Sequence, residues 1–113
     1  MNTLKNRVQL IGNLGQAPVV RNLENGKKMA RMNIAINESY KNGKGESMND
    51  TYWHTIVAWG KTAEIAEKFL VKGSEVAIDG KLVSRVYTAG DGQKRYITEV
   101  VASELLLLTK KAS

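Results

Sequence analysis

The chain has 113 residues, 42% of them apolar, and 17 Lys and Arg against 11 Asp and Glu give a formal net charge of +6. That length implies one domain with a single modest core, and the positive balance favours a polyanionic partner, nucleic acid or an anionic membrane surface. There is no cysteine, which excludes disulfides, thiolate metal sites and thiol catalysis. The start lacks the apolar core of a signal peptide, and no apolar run approaches the roughly 20 residues that span a bilayer, so a cytoplasmic protein is expected.

In chain order, Arg7 to Gly12 reads as a weakly alternating strand that bends at Gly12-Asn13-Leu14-Gly15. Pro18 opens a second short strand, Val19 to Leu23, and Glu24-Asn25-Gly26 reads as a hairpin turn. Lys28 to Tyr40 is the longest alternating stretch. Ala30, Met32, Ile34 and Ile36 share one side, and Arg31, Asn33, Ala35 and Asn37 the other. Residues Lys41 to Asp50, with glycines at 43 and 45 and no periodicity, read as a loop. Thr51 to Trp59 is then a strand with Trp53, Thr55, Val57 and Trp59 on one face and Tyr52, His54, Ile56 and Ala58 on the other. At about 3.3 Å per residue the two tryptophans stand roughly 20 Å apart, room for several flat ligands along a sheet. They are a binding platform on one reading and core residues on the other.

A helix is expected from Thr62 to Val71, with Thr62 as N-cap, Glu64 in the first turn and Lys72-Gly73 as the stop. Its stripe is Ile65, Ala66, Phe69 and Leu70, and Phe69 is assigned to the core. Glu75 to Tyr87 reads as a strand with Val76, Ile78 and Leu82 on one face and Lys81, Val83, Arg85 and Tyr87 on the other. Ala89 to Gly92 turns the chain into a last strand, Arg95 to Leu108. About five strands with one helix between the third and fourth is the order of an all-β OB-fold, a small five-stranded Greek-key barrel with one curved face for an extended polymer. The domain is expected to span residues 1–108, followed by a short basic end at 109–113.

Catalysis finds little support in the residues. His54 is the one histidine, so no histidine pair can hold a metal. Asp50, Asp79 and Asp91 fall in separate segments, and no Ser or Thr has a histidine partner on its own face. Gly12 to Gly15 lacks the Lys-Ser/Thr ending and following helix of a phosphate-binding loop. No enzyme activity and no cofactor are expected.

Asn6 to Gly15 with Pro18 and Arg21, Asn33 to Tyr40 ending Asn-Glu-Ser-Tyr, Thr51 to His54, Trp59 to Glu64, Leu70 to Ser74, and Gly92 to Tyr96 with Thr98 to Val101 together resemble bacterial single-stranded DNA-binding proteins, in one register over nearly the whole chain. The resemblance implies that Tyr40, Trp53, Trp59 and Tyr87 stack on bases. Tyr40 and Tyr87 stand where the family often has tryptophan or phenylalanine. Lys61 beside Trp59, Lys72 at the helix exit and Arg85 on the Tyr87 face are the foremost phosphate contacts, with Arg7, Arg21 and Arg31 behind them. Stacking and phosphate contacts read no sequence, so the expected partner is single-stranded DNA of any sequence, in replication, recombination and repair. RNA is not distinguished by either contact.

The family further implies a homotetramer, with His54 near a subunit contact. Family members commonly carry a disordered linker and an acidic tip that recruits partner enzymes, whereas this chain ends Leu108-Thr109-Lys110-Lys111-Ala112-Ser113. Two alternatives remain open. One is a tail-less relative serving primosome assembly or a mobile element. The other is an OB-type scaffold whose aromatic face binds protein.

Overall fold

A computed structural model gives the fold and describes residues 5–108. The expected basic end at 109–113 lies outside them. The elements run β1 (Val8–Leu14), β2 (Val19–Asn22), β3 (Lys28–Lys41), β4 (Ser47–Trp59), α1 (Gly60–Phe69), β5 (Glu75–Thr88) and β6 (Lys94–Leu107). The sheet order is β1-β5-β6-β4-β3-β2, and a further β1–β3 pairing closes it. Five strands therefore form the closed barrel, with β2 hydrogen-bonded outside it along β3. The helix lies between the third and fourth barrel strands, as the OB reading requires. Closure depends on a close approach at Gly12, where a Cβ would stand 2.6 Å from the Ala35 carbonyl oxygen.

The core sits where the alternation placed it. Ala30, Met32 and Ile34 of β3, Ile56 and Ala58 of β4, Val76 and Ile78 of β5, and Val100 and Ala102 of β6 are buried together with Leu14. At the chain's end, Leu105 and Leu107 pack against this core while Leu106 and Leu108 are exposed. A bulge between Asp79 and Gly80 shifts the β5–β6 register there.

Three expectations are corrected. The stretch from Lys41 to Asp50 is not a long loop. β3 runs to Lys41 and β4 starts at Ser47, so the two strands form a 13-pair antiparallel arm closed by a short turn. Asn42 organises that turn: its Oδ1 accepts the amides of Lys44 (2.9 Å) and Glu46 (3.0 Å), and Gly45 supplies φ +79°. The helix starts two residues early, at Gly60, with Trp59 in the N-cap position and no side-chain cap. Gly60 takes φ +58°, which turns the chain directly from strand to helix without Thr62. Finally, Phe69 is 50% exposed, and Ile65 is exposed beside it. The face that meets the barrel is Ala63, Ala66 and Leu70, because small residues let the helix lie close to the strands.

Candidate nucleic-acid interface

β3 and β4 pair without a break in register, so cross-strand partners share a side of the ribbon. The outward side carries Met29 opposite Trp59, Arg31 opposite Val57, Asn33 opposite Thr55, Ala35 opposite Trp53, and Asn37 opposite Thr51. Polar pairs zip it together: Thr55 Oγ1 donates to Asn33 Oδ1 (3.1 Å), and Thr51 Oγ1 to Asn37 Oδ1 (2.8 Å). Trp53 is 60% exposed and Trp59 43%. Two wide indoles thus stand clear of the core on a polar face, which removes the reading of them as core residues.

Trp53 leans over the first turn after β1. A Cβ built on Gly15 would stand 2.8 Å from Cζ3 and 2.9 Å from Cη2 of the ring. Gly15 thus lets the indole lie close to the backbone, beside a depression lined also by Gln16, Ala17 and Arg31. Lys72 lies near this end of the site. The turn it belongs to is pinned to β1 by hydrogen bonds from Asn13 Nδ2 and the Gly73 amide, the latter to the Leu14 carbonyl. Lys61, in the first turn of α1, marks the Trp59 end.

The outward face continues across the barrel as a row: Val19 pairs with Arg31, Arg31 with Val57, Val57 with Val101, and Val101 with Lys81. Arg21 pairs with Met29 on the same side, next to Trp59. On the β5–β6 arm, Arg85 and Tyr87 line a depression with Arg31 and Ile97. At the centre lies Glu99 of β6, 3% exposed. Its carboxylate accepts from Arg85 Nε (2.9 Å) and Nη2 (3.1 Å) and pairs with Arg31 Nη2 (2.9 Å). The structure thus gathers Trp53, Trp59, Tyr87, Arg21, Arg31 and Arg85 onto one side, with Lys61 and Lys72 at its ends.

Two predicted residues stand elsewhere. Tyr40 pairs with Met48 on the reverse side of the ribbon, in company with Glu38, Asp50 and Tyr52. Those carboxylates mark the reverse side electrostatically: Asp50 above all, then partial burial and Glu38, push the Tyr52 phenol above its ordinary pKa. Arg7 forms a two-pronged pair with Asp79 (Nε–Oδ1 3.1 Å, Nη2–Oδ2 3.0 Å) and lines a separate depression with Ile11, Glu104 and Leu106. The Asp79 hydrogen bond and charge hold the Arg7 pKa above its usual value. His54 pairs with Ile34 on the core side and is half-buried.

Glu99, Gly15 and Lys81 carried no site assignment from the sequence alone. Lys81 was within reach, since it alternates with Arg85 and Tyr87. Glu99 gave no local signal, because only the register brings two arginines from β3 and β5 to it.

A profile of the single-strand binding protein family matches residues 5–108. The chain belongs to the single-strand binding protein family. Single-stranded DNA-binding protein 1 of Xylella fastidiosa is 40% identical over 107 residues, covering 94% of this chain and 79% of that protein. Among solved structures, the Plasmodium falciparum SSB in complex with ssDNA superimposes with a TM-score of 0.86 at 31% identity, over 96% of this chain and 100% of that one. A deletion mutant of the Thermus aquaticus single-stranded DNA binding protein gives 0.80 at 27% identity, over 92% of this chain and 50% of that one. The single-strand binding protein family is thus recovered by sequence and by fold across nearly the whole described chain. No helix among the described residues is long and apolar enough to cross a membrane.

Proposed function

We propose that this protein coats exposed single-stranded DNA with little sequence preference, protecting it during replication, recombination and repair, and that it turns over no substrate. Bases stack on Trp53, Trp59 and Tyr87, while Arg21, Arg31, Lys61, Lys72 and Arg85 meet phosphates. Tyr40 takes part where the strand rounds the edge of the β3–β4 arm. The observation that carries this reading is the pair of exposed tryptophans on one polar, arginine-bearing side of β4, both outside the buried core cluster. Membership of the family and the likeness to an SSB with ssDNA bound support it. Every base has a π-face, so stacking tolerates any sequence, and a duplex hides those faces.

Assembly as a homotetramer belongs to the same proposal. β1 pairs with β5 from Val8 to Asn13 but with β3 only at Asn13 and Leu14. The backbone edge of Val8 to Gly12 is therefore open to pairing with a second copy.

Tryptophan emission during titration with oligo-dT, at two salt concentrations and beside a duplex control, tests the reading. Quenching by the single strand alone, weaker at higher salt, is the expected result. An unchanged emission at low salt would remove the tryptophans as a DNA platform and favour a protein partner for the face.

A further inference from the structure

We propose that Glu99 is a positioning residue of the binding face: its buried carboxylate fixes the two arginines between the aromatic side chains, and this outweighs the repulsion its charge exerts on DNA. The inference rests on the single-strand reading above.

A carboxylate in the middle of a face for a polyanion is, on charge alone, a defect. Yet Glu99 is among the most deeply buried polar side chains described, at 3% exposure, and three guanidinium nitrogens lie within 3.1 Å of its oxygens. Its partners come from different strands. Arg85 is on β5, next to β6. Arg31 is on β3, with β4 in between. To reach Glu99, the Arg31 side chain must cross β4 beside Val57, its direct cross-strand partner. Val57 points outward between Trp53 and Trp59, yet it is only 5% exposed, as a residue covered in this way should be. Glu99 thus lays Arg31 flat over the sheet, where a free arginine would sample many rotamers in solvent.

The arrangement leaves donors over. A guanidinium has five N–H groups; Arg85 commits its Nε and Nη2 positions to Glu99, and Arg31 its Nη2. Arg31 borders three depressions, one towards Trp53, one towards Arg21 and Met29, and one towards Tyr87 that Arg85 also lines. A phosphate that arrives between stacked bases meets donors already in place, so the ordering cost of two long side chains is met in the free protein.

The test opposes position to charge. Glu99→Asp keeps the charge and retracts the carboxylate by one methylene. Glu99→Gln keeps the shape and removes the charge. Both are titrated with oligo-dT over a salt series, at a temperature where thermal melts show each variant folded. The expected result is binding about tenfold weaker in both, the scale of a lost charge-assisted hydrogen bond, with the Glu99→Asp salt slope unchanged. Wild-type affinity in Glu99→Asp overturns the inference. So does tighter binding by Glu99→Gln with a log–log slope steeper by about 0.7, the signature of one added positive charge on a single strand. The wild-type protein in the same titration separates the two claims. If it fails to bind, the single-strand reading falls and takes this inference with it; if it binds and the variants match or exceed it, only the role of Glu99 falls.

Discussion

Each tryptophan of this face has a separate local reason for standing where it does. Trp59 ends β4 and serves as N-cap to the helix, so its backbone is fixed from both sides while its ring is 43% exposed. Removing either ring takes little from the core. Trp53→Ala and Trp59→Ala should therefore melt close to wild type. Each should lose about 1–3 kcal/mol of oligo-dT binding, the range attached to base–aromatic stacking in single-strand binders, this family included. Equilibrium titration monitored by anisotropy, which does not need the missing ring, checks it; a large drop in melting temperature with unchanged affinity would return that tryptophan to the core. Gly15 offers a subtler probe. An added methyl meets only the far end of the Trp53 ring, which can swing aside at small cost. Gly15→Ala should leave stability unchanged, shift the emission of Trp53 and weaken binding, because the ring leaves its place. Unchanged emission and affinity together would show that the indole is not held there.

Among the elements, strands and turns were largely legible in the sequence and the helix only in part. The alternation of Ala30, Met32, Ile34 and Ile36 against Arg31, Asn33 and Ala35 assigned the faces correctly, because a strand half-buried in a barrel must alternate. β3 was legible to within a residue of its end, but the start of β4 was not. Residues such as Ser47, Asn49 and Asp50 alternate in no hydrophobic sense, since their arm projects beyond the core and is held by register and by pairs such as Ser39–Asn49 (2.6 Å). The helix misled for a related reason. Its apolar residues outnumber those it buries, and periodicity cannot tell Phe69 from Leu70 when the receiving surface is narrow. A pair of mutants reads this difference. Leu70, 4% exposed and inside the core cluster, should cost about 2–5 kcal/mol when changed to alanine, as cavities in a core do. Phe69→Ala, despite deleting a larger side chain, should cost less. Denaturant unfolding of the two variants decides it, and the reverse order would mean that Phe69 anchors the helix.

For the whole molecule, the question is which of its charges DNA can feel. The net charge is +6, but several cations are answered internally: Arg7 by Asp79, Lys28 by Glu67, Arg95 by Asp91. The pKa of Lys28 is raised chiefly by its hydrogen bond to Glu67, so that pair holds at neutral pH and is lost only as pH climbs into the lysine range. On or beside the tryptophan face, Arg21, Lys61, Lys72 and Lys81 make no ion pair among the described residues, and Arg31 and Arg85 share the single charge of Glu99. The face therefore presents four free cations and a cluster of net +1, five in all, on an otherwise balanced barrel. Each phosphate neutralised on a single strand contributes about −0.7 to the slope of log K against log salt. A short oligo-dT that occupies one protomer should accordingly give a slope of about −3.5, and Lys61→Ala or Lys72→Ala should each reduce it by about 0.7. A slope near zero would leave stacking as the only attachment. A wild-type value retained in Lys61→Ala would place the path of the strand away from the helix entrance, since counterions are released only where a phosphate replaces them.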